Sequence, residues 1–373
     1  MSTRFDARRI LMAIAAPLLS IVVAVVVTSI ILFVAGDPVG AVWAQLFKAP
    51  LPRQVVAIIN AASVYYLSAI AVAIGFRMNL FNIGVDGQYR IASFAAALFA
   101  GQGYLPGWLN ILVALVVAMA SGAAWAGIAG VLKVTRGVSE VISTIMLNSI
   151  ATFLVAFLLG KTAERVQGSN ATNTKPLPQD SRVPGISLDG IIATPAKVYG
   201  FVLLAIVVGI LYWFVINKTR FGFDLRATGR SESAAVASGV KVKRMVLTSM
   251  LISGAAAGLV GMPLLFGQDY VYGDTVQAGL GFAGIAIALL GRNNPVGIAF
   301  AALLWAYLDA QANGLQITAG VSDRLVLVIQ GVIVLSVVIA YEVVRRANVR
   351  LEQRRVASEL ARQAGASAEG AVA

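Results

Sequence analysis

From about residue 10 to residue 344 the chain alternates between apolar runs of roughly twenty residues and short polar breaks. Twenty helical residues rise about 30 Å, the thickness of a bilayer's hydrocarbon core. Windows of that length predict spans near residues 10–35, 55–76, 81–100, 108–132, 138–160, 198–216, 245–266, 276–290, 296–312 and 325–344. The pattern therefore predicts an all-α polytopic membrane protein of about ten transmembrane helices. The first run follows Arg4, Arg8 and Arg9 and is about twice the usual length of a signal peptide's apolar region, so it reads as a retained span.

Composition agrees, with 59% hydrophobic and only 12% charged residues. Soluble domains carry about 25% charge. The formal net charge is +12, but its basic residues lie mainly in the gaps between apolar runs. They are better explained by membrane orientation than by nucleic acid. Ten spans put both termini on one side. A cytoplasmic N-terminus places Arg77, Lys133, Arg136, the cluster from Lys218 to Arg244, Arg292 and the arginines of the tail inside, as the positive-inside rule requires. Residues 161–197 then form an extracytoplasmic loop and 217–244 a cytoplasmic segment. Residues 1–344 make one transmembrane domain, and 345–373 a basic cytoplasmic tail expected on the anionic lipid of the inner leaflet. The 161–197 loop is too polar for a core of its own and reads as a solvated connection or a docking surface.

With no cysteine and no histidine, the chain has no disulfides, thiol nucleophiles or imidazole chemistry. Gly160-Lys161-Thr162 ends an apolar run and lacks the first glycine of a phosphate-binding loop. Residues 279–284 satisfy a dinucleotide fingerprint, but they open a membrane span rather than follow a soluble strand. Their glycines read as close backbone approach or a break in the helix. Nothing here binds ATP or a metal within the chain.

Polar groups inside the spans are costly, so each needs a partner or a water-filled path. Residues 75–90 concentrate them: Arg77, Asn79, Asn82, Asp86, Gln88 and Arg90. Candidates for the substrate path are Phe81, Asn82, Asp86, Gln88, Glu140, Asn148 and Phe282. Arg90 can pair with Asp86 at i,i+4, a structural role weighed above substrate contact. Asn148 is the better ligand candidate, because an amide both donates and accepts. Phe81 and Phe282 can stack on a flat base or simply pack. Ser253, Gly254, Gly258 and Gly261 form a small-residue stripe that reads as helix packing. Five spans in the first half invert the second half, so the third and eighth spans correspond, and both begin with glycine-interrupted sequence. On the cytoplasmic segment, Ser231 is a helix N-cap, an alanine run follows, and Gly239 is a stop.

Four stretches carry a resemblance to a known family. They are 81–88 (FNIGVDGQ), 138–148 (VSEVISTIMLN), 226–229 (RATG) followed by Ala234-Ala235 and Gly239, and Gly281-Phe282 with 286–292 (AIALLGR) and Asn294-Pro295. In this order they resemble the permeases of ABC importers of the ribose and branched-chain amino acid superfamily, most of all the larger permease subunit of nucleoside importers. The resemblance implies a transport subunit that is not an enzyme, in the cytoplasmic membrane of a bacterium. Its partners would be a second related permease, an ATP-binding-cassette ATPase that holds ATP and Mg, and an extracytoplasmic substrate-binding lipoprotein. The 226–239 stretch would be the coupling helix, with Arg226, Gly229, Glu232, Ala235 and Gly239 meeting the ATPase. The expected cargo is a nucleoside, with a simple sugar as the alternative and a branched-chain amino acid third. An ion-coupled carrier using Asp86, Glu140 and Asp309 is a more remote alternative that would not need the cytoplasmic helix.

Overall fold

The computed structural model describes residues 7–164, 171–273, 276–322 and 324–370. It divides into two units, residues 47–313 and residues 1–46 with 314–373. In the smaller unit, Ala7–Ala35 (α1) packs along Leu325–Gly370 (α14). Val39–Leu46 (α2) is tied to α1 by the Trp43 indole donating to Ser29 Oγ at 3.0 Å. The expected last span and the basic tail are one continuous helix here, since α14 runs 46 residues without interruption.

The larger unit is built around Pro52–Phe76 (α3), in which every residue from Ala62 to Phe76 except Tyr66 is buried. Around it lie Val85–Gln102 (α4), Gly107–Arg136 (α5), Glu140–Thr162 (α6), Val202–Lys218 (α7), Val242–Gly258 (α10) and Leu280–Leu290 (α12). Pro295–Ala319 (α13) completes the helix order before α14. The small-residue stripe does what its composition predicts: Gly254 and Gly258 sit directly against the α5 backbone at Gly122 and Ala118.

Each expected span contains a helix. Among the described residues, however, only six are long and apolar enough to cross a membrane, or seven counting the bent pair of α7 with Arg220–Arg230 (α8). The remaining three are the Leu19–Ala35 part of α1, α4 and α12. The last has 11 residues, about 16 Å of helix against a core of about 30 Å. Both α4 and α12 start late because the segments before them, 77–84 and the described residues of 270–279, are not helical.

The described part of the loop after α6 is largely exposed but held in place. It lies across residues 266–272, with the N–H groups of Thr174, Leu177 and Val183 donating to the carbonyls of Tyr272, Tyr270 and Phe266 at 2.8–3.0 Å. Leu177 is buried in the apolar cluster between α4, α5 and Met262–Leu264 (α11). A short hairpin pairs Ile186 with Val198 and Ser187 with Lys197. Backbone pairing and one buried leucine fix a segment that its own composition would leave loose. Asn170 of the Asn170-Ala171-Thr172 sequon lies outside the described residues.

The α5–α10 contact gives a direct test. Gly254→Leu would force apart two backbones in van der Waals contact and is expected to cost about 3 kcal/mol. Thermal unfolding of the detergent-solubilised protein should show a lower midpoint. An unchanged midpoint would mean that α5 and α10 do not meet there.

Candidate transport site and coupling face

The polar stretch at 77–90 passes along the buried middle of the larger unit, and nearly every polar side chain in it is matched. Asn82 and Gln88 exchange two amide hydrogen bonds, at 2.8 and 3.0 Å. Asn82 Nδ2 also donates to Ser253 Oγ at 2.8 Å, and Ser253 donates to the Ala71 carbonyl at 2.7 Å. Asn148 accepts from the Gly87 N–H and donates to the Ile83 carbonyl, both at 2.8 Å. Glu140 takes an ion pair from Lys133 at 2.5 Å and a long hydrogen bond from the Phe81 N–H. These groups hold a non-helical segment inside an apolar unit, where unmatched backbone would be expensive.

Asp86 goes further. One carboxylate oxygen accepts from the N–H groups of Gly279 and Gly281, at 2.9 and 3.3 Å, while the other receives Arg90 Nε at 3.1 Å. It therefore sits where the N-termini of α4 and α12 meet. That approach needs glycine at 281, since a β-carbon there would overlap the Asp86 backbone. From this point α4 runs toward Lys175 and Pro178, and α12 runs the other way, toward Arg77. Two positive helix ends and a guanidinium surround one carboxylate. At the far end of α12, Arg77 donates to the Asn293 carbonyl at 2.5 Å, as does the Tyr212 hydroxyl at 2.8 Å.

Phe81 and Phe282 are the two candidates without a polar role, and about half of each is exposed. The Phe81 ring contacts Phe76, with centroids 5.1 Å apart.

The expected cytoplasmic helix is two helices. Thr219 caps α8, accepting from the Gly222 N–H at 3.1 Å. Ser231 caps Glu232–Ala237 (α9) by accepting from the Ala234 N–H at 3.3 Å. Gly239 ends the segment with φ +82°, a conformation that favours glycine. Glu232 is exposed, whereas Ala235 is buried and Arg226 half-buried. Gly229 lies on the backbone of Arg77 and Met78, and its carbonyl accepts from Asn79 Nδ2 at 2.7 Å. The α8–α9 segment is thus joined to the 77–84 segment by backbone contact.

A cavity of about 440 Å³ opens in the same unit between α3, the approach to α12 and α13, beside residues 196–199. Asn60, Tyr65, Tyr199, Gln268, Gln277 and Asp309 give it a polar wall.

The family described as the branched-chain amino acid transport system, permease component, matches residues 54–338. The chain belongs to this permease family. It is therefore a multi-pass membrane protein and a transport subunit. The guanosine ABC transporter permease NupP of Bacillus subtilis is 33% identical over 88% of this chain and 93% of its own length. A second guanosine permease of that organism, NupQ, is 27% identical over 69% of this chain and 82% of its own. The glucose ABC transporter permease TsgB13 of Haloferax volcanii is 29% identical, covering 87% of both chains.

Among the sequence-predicted residues, Asn82 and Gln88 bond each other, Asn148 bonds the backbone at Ile83 and Gly87, Asp86 bonds Arg90 and the start of α12, and Glu140 bonds the Phe81 N–H, each set bracing the 81–90 stretch on its own. Phe282 follows Gly281 on α12. The cavity residues were not among the candidates, apart from Asp309, which stood out as an acid within an apolar run. A signal existed: Arg53, Ala57, Asn60, Ala61 and Val64 line the cavity at helical spacing, a small and polar stripe on an otherwise apolar helix.

Asp86→Ala would leave two helix N-termini and Arg90 without their shared acceptor. It is expected to destabilise the permease by about 3 kcal/mol, and Asp86→Asn by less. Equal unfolding midpoints for wild type and Asp86→Ala would contradict the network.

Proposed function

We propose that this chain is one permease of an ATP-binding-cassette importer that carries nucleosides across a bacterial cytoplasmic membrane. The observation that carries the reading is the likeness to the guanosine permease NupP over most of both chains. Chemistry at the helix junction supports an uncharged cargo. Paired half-helix N-termini are natural seats for a cargo carboxylate. In this chain Asp86 fills that seat from within, so an amino acid would meet an occupied position. A simple sugar is the second reading, favoured by the likeness to TsgB13 and equally neutral.

In this reading the chain has ten spans in two inverted five-helix halves, with both termini cytoplasmic. Residues 161–197 face the extracytoplasmic binding lipoprotein, and 345–373 extend as the basic cytoplasmic tail beside lipid. A second related permease completes the path, as the pair NupP and NupQ suggests. The ATPase partner holds ATP and Mg and docks on residues 217–244, through the exposed Glu232 and the turn at Gly239, with Arg226, Gly229 and Ala235 shaping the segment behind them. Closure of the ATPase moves α8 and α9. Because Gly229 rests on Arg77 and Met78, that motion reaches the 77–84 segment and the helix junction without passing through flexible side chains. Phe81, Asn82, Asp86, Gln88, Glu140, Asn148 and Phe282 then change the path by moving as a group around the junction.

Two experiments test this reading. Purification of the tagged chain from mildly solubilised native membranes should recover an ATP-binding-cassette protein and a second permease, and recovery of the chain alone would overturn it. In that complex Gly229→Leu is expected to cut ATP-driven uptake by about tenfold or more while ATP hydrolysis persists. Uptake at the wild-type rate would remove the proposed linkage.

A further inference from the structure

A second hollow in the larger unit has the opposite character to the polar cavity. It is a groove of about 680 Å³ between α3, α7 and the first turns of α13. Ala62 and Ala205 are buried at its floor, and Ile206, Trp213, Val296 and Phe300 stand exposed along it. Ser63 also lines it, but spends its hydroxyl on the Asn60 carbonyl at 2.7 Å. Gly209 lets the Tyr66 hydroxyl lie directly against α7, where a β-carbon would overlap it. The groove therefore suits hydrocarbon rather than a hydrogen-bonding ligand.

Its length sets the kind of hydrocarbon. The lining residues of α7 run from Val202 to Trp213, a helix rise of about 16 Å. That is about half of a bilayer's hydrocarbon core, the depth of one leaflet and so of one acyl chain.

The end at Trp213 is basic. Lys218 Nζ lies 5.6 Å from the centroid of the Trp213 ring, and Arg220 follows. Both are exposed, and among the described residues neither forms an ion pair with a carboxylate. Between them the chain turns by 71° from α7 into α8, which carries the exposed Phe223. A tryptophan with basic residues just beyond it marks the boundary between hydrocarbon and water.

We propose that this groove binds an anionic phospholipid, with one acyl chain along α7 and the headgroup phosphate between Lys218 and Arg220. In the topology proposed above, that lipid belongs to the cytoplasmic leaflet. A zwitterionic lipid fills the groove less well, because its own cation opposes the two basic side chains beside the phosphate. A partner's helix would fill an apolar groove too, but would leave the basic pair at its end without a role. The lipid sits at the root of α8 and braces the bend from which the coupling segment departs.

Native mass spectrometry of the full-length, detergent-solubilised chain tests the site, with dioleoyl phosphatidylglycerol and dioleoyl phosphatidylcholine as probes. Wild type should hold phosphatidylglycerol more tightly. Lys218→Gln combined with Arg220→Gln is expected to weaken phosphatidylglycerol binding by about tenfold or more and to leave phosphatidylcholine binding unchanged. Ala299→Trp, at a half-buried position of the groove, should weaken both lipids while the two cations remain. The double variant changes exposed side chains only, so it carries the test even where Ala299→Trp does not fold. Equal affinity of wild type for the two lipids, or phosphatidylglycerol binding at the wild-type level in either variant, would overturn the site. If Ala299→Trp keeps its lipid and instead loses a second permease on purification, a partner's helix occupies the groove and the proposal fails.

Discussion

The short helix α12 is held at both ends by one stretch of chain. Asp86 accepts from the N–H groups at its start, and Arg77 donates to the carbonyl just beyond its finish. Anion at the N-terminus and cation near the C-terminus is the arrangement that complements a helix dipole. Inside an apolar unit, where solvent cannot screen the charges, it also satisfies backbone groups that have no helical partner. An 11-residue helix too short to cross a bilayer is thereby fixed among α3 and α4. Its glycines make the fit possible, Gly281 against Asp86 and Gly284 against Ser68.

This clamp ties fold to transport. The same stretch that holds α12 is braced by Asn82, Gln88, Asn148 and Ser253 on one side and rests on Gly229 on the other. A displacement of α8 therefore meets a rigid insert rather than a flexible loop. The polar network is fully paired around Asn82, which favours two discrete packings over gradual deformation. In the proposed reading, a junction already neutralised by the chain's own carboxylate leaves no electrostatic demand for an anionic substrate.

Much of this was legible in the sequence. Apolar windows placed the helices, and the cost of intramembrane charge pointed to residues 77–90. The Asp86–Arg90 pair is local, at i,i+4, and followed from spacing alone. Its other partners, Gly279 and Gly281, lie nearly two hundred residues away, and no local pattern joins them. The same limit hid the cavity, whose polar wall draws single residues from α3, the 196–199 turn, the approach to α12 and α13. Composition alone did not show how the loop after α6 is held, because backbone pairing to residues 266–272 and the burial of Leu177 depend on a partner surface that the segment itself does not contain. Helix α8 was missed because its Thr219 cap follows directly on α7, and only the 71° bend separates the two.

The central claim is that Asp86 occupies the helix junction and so selects a neutral cargo. Uptake by the intact importer in proteoliposomes, driven by ATP and offered labelled guanosine and labelled leucine side by side, measures that selection directly. The account predicts saturable guanosine uptake that unlabelled leucine does not inhibit. Leucine uptake, with guanosine excluded, would contradict it.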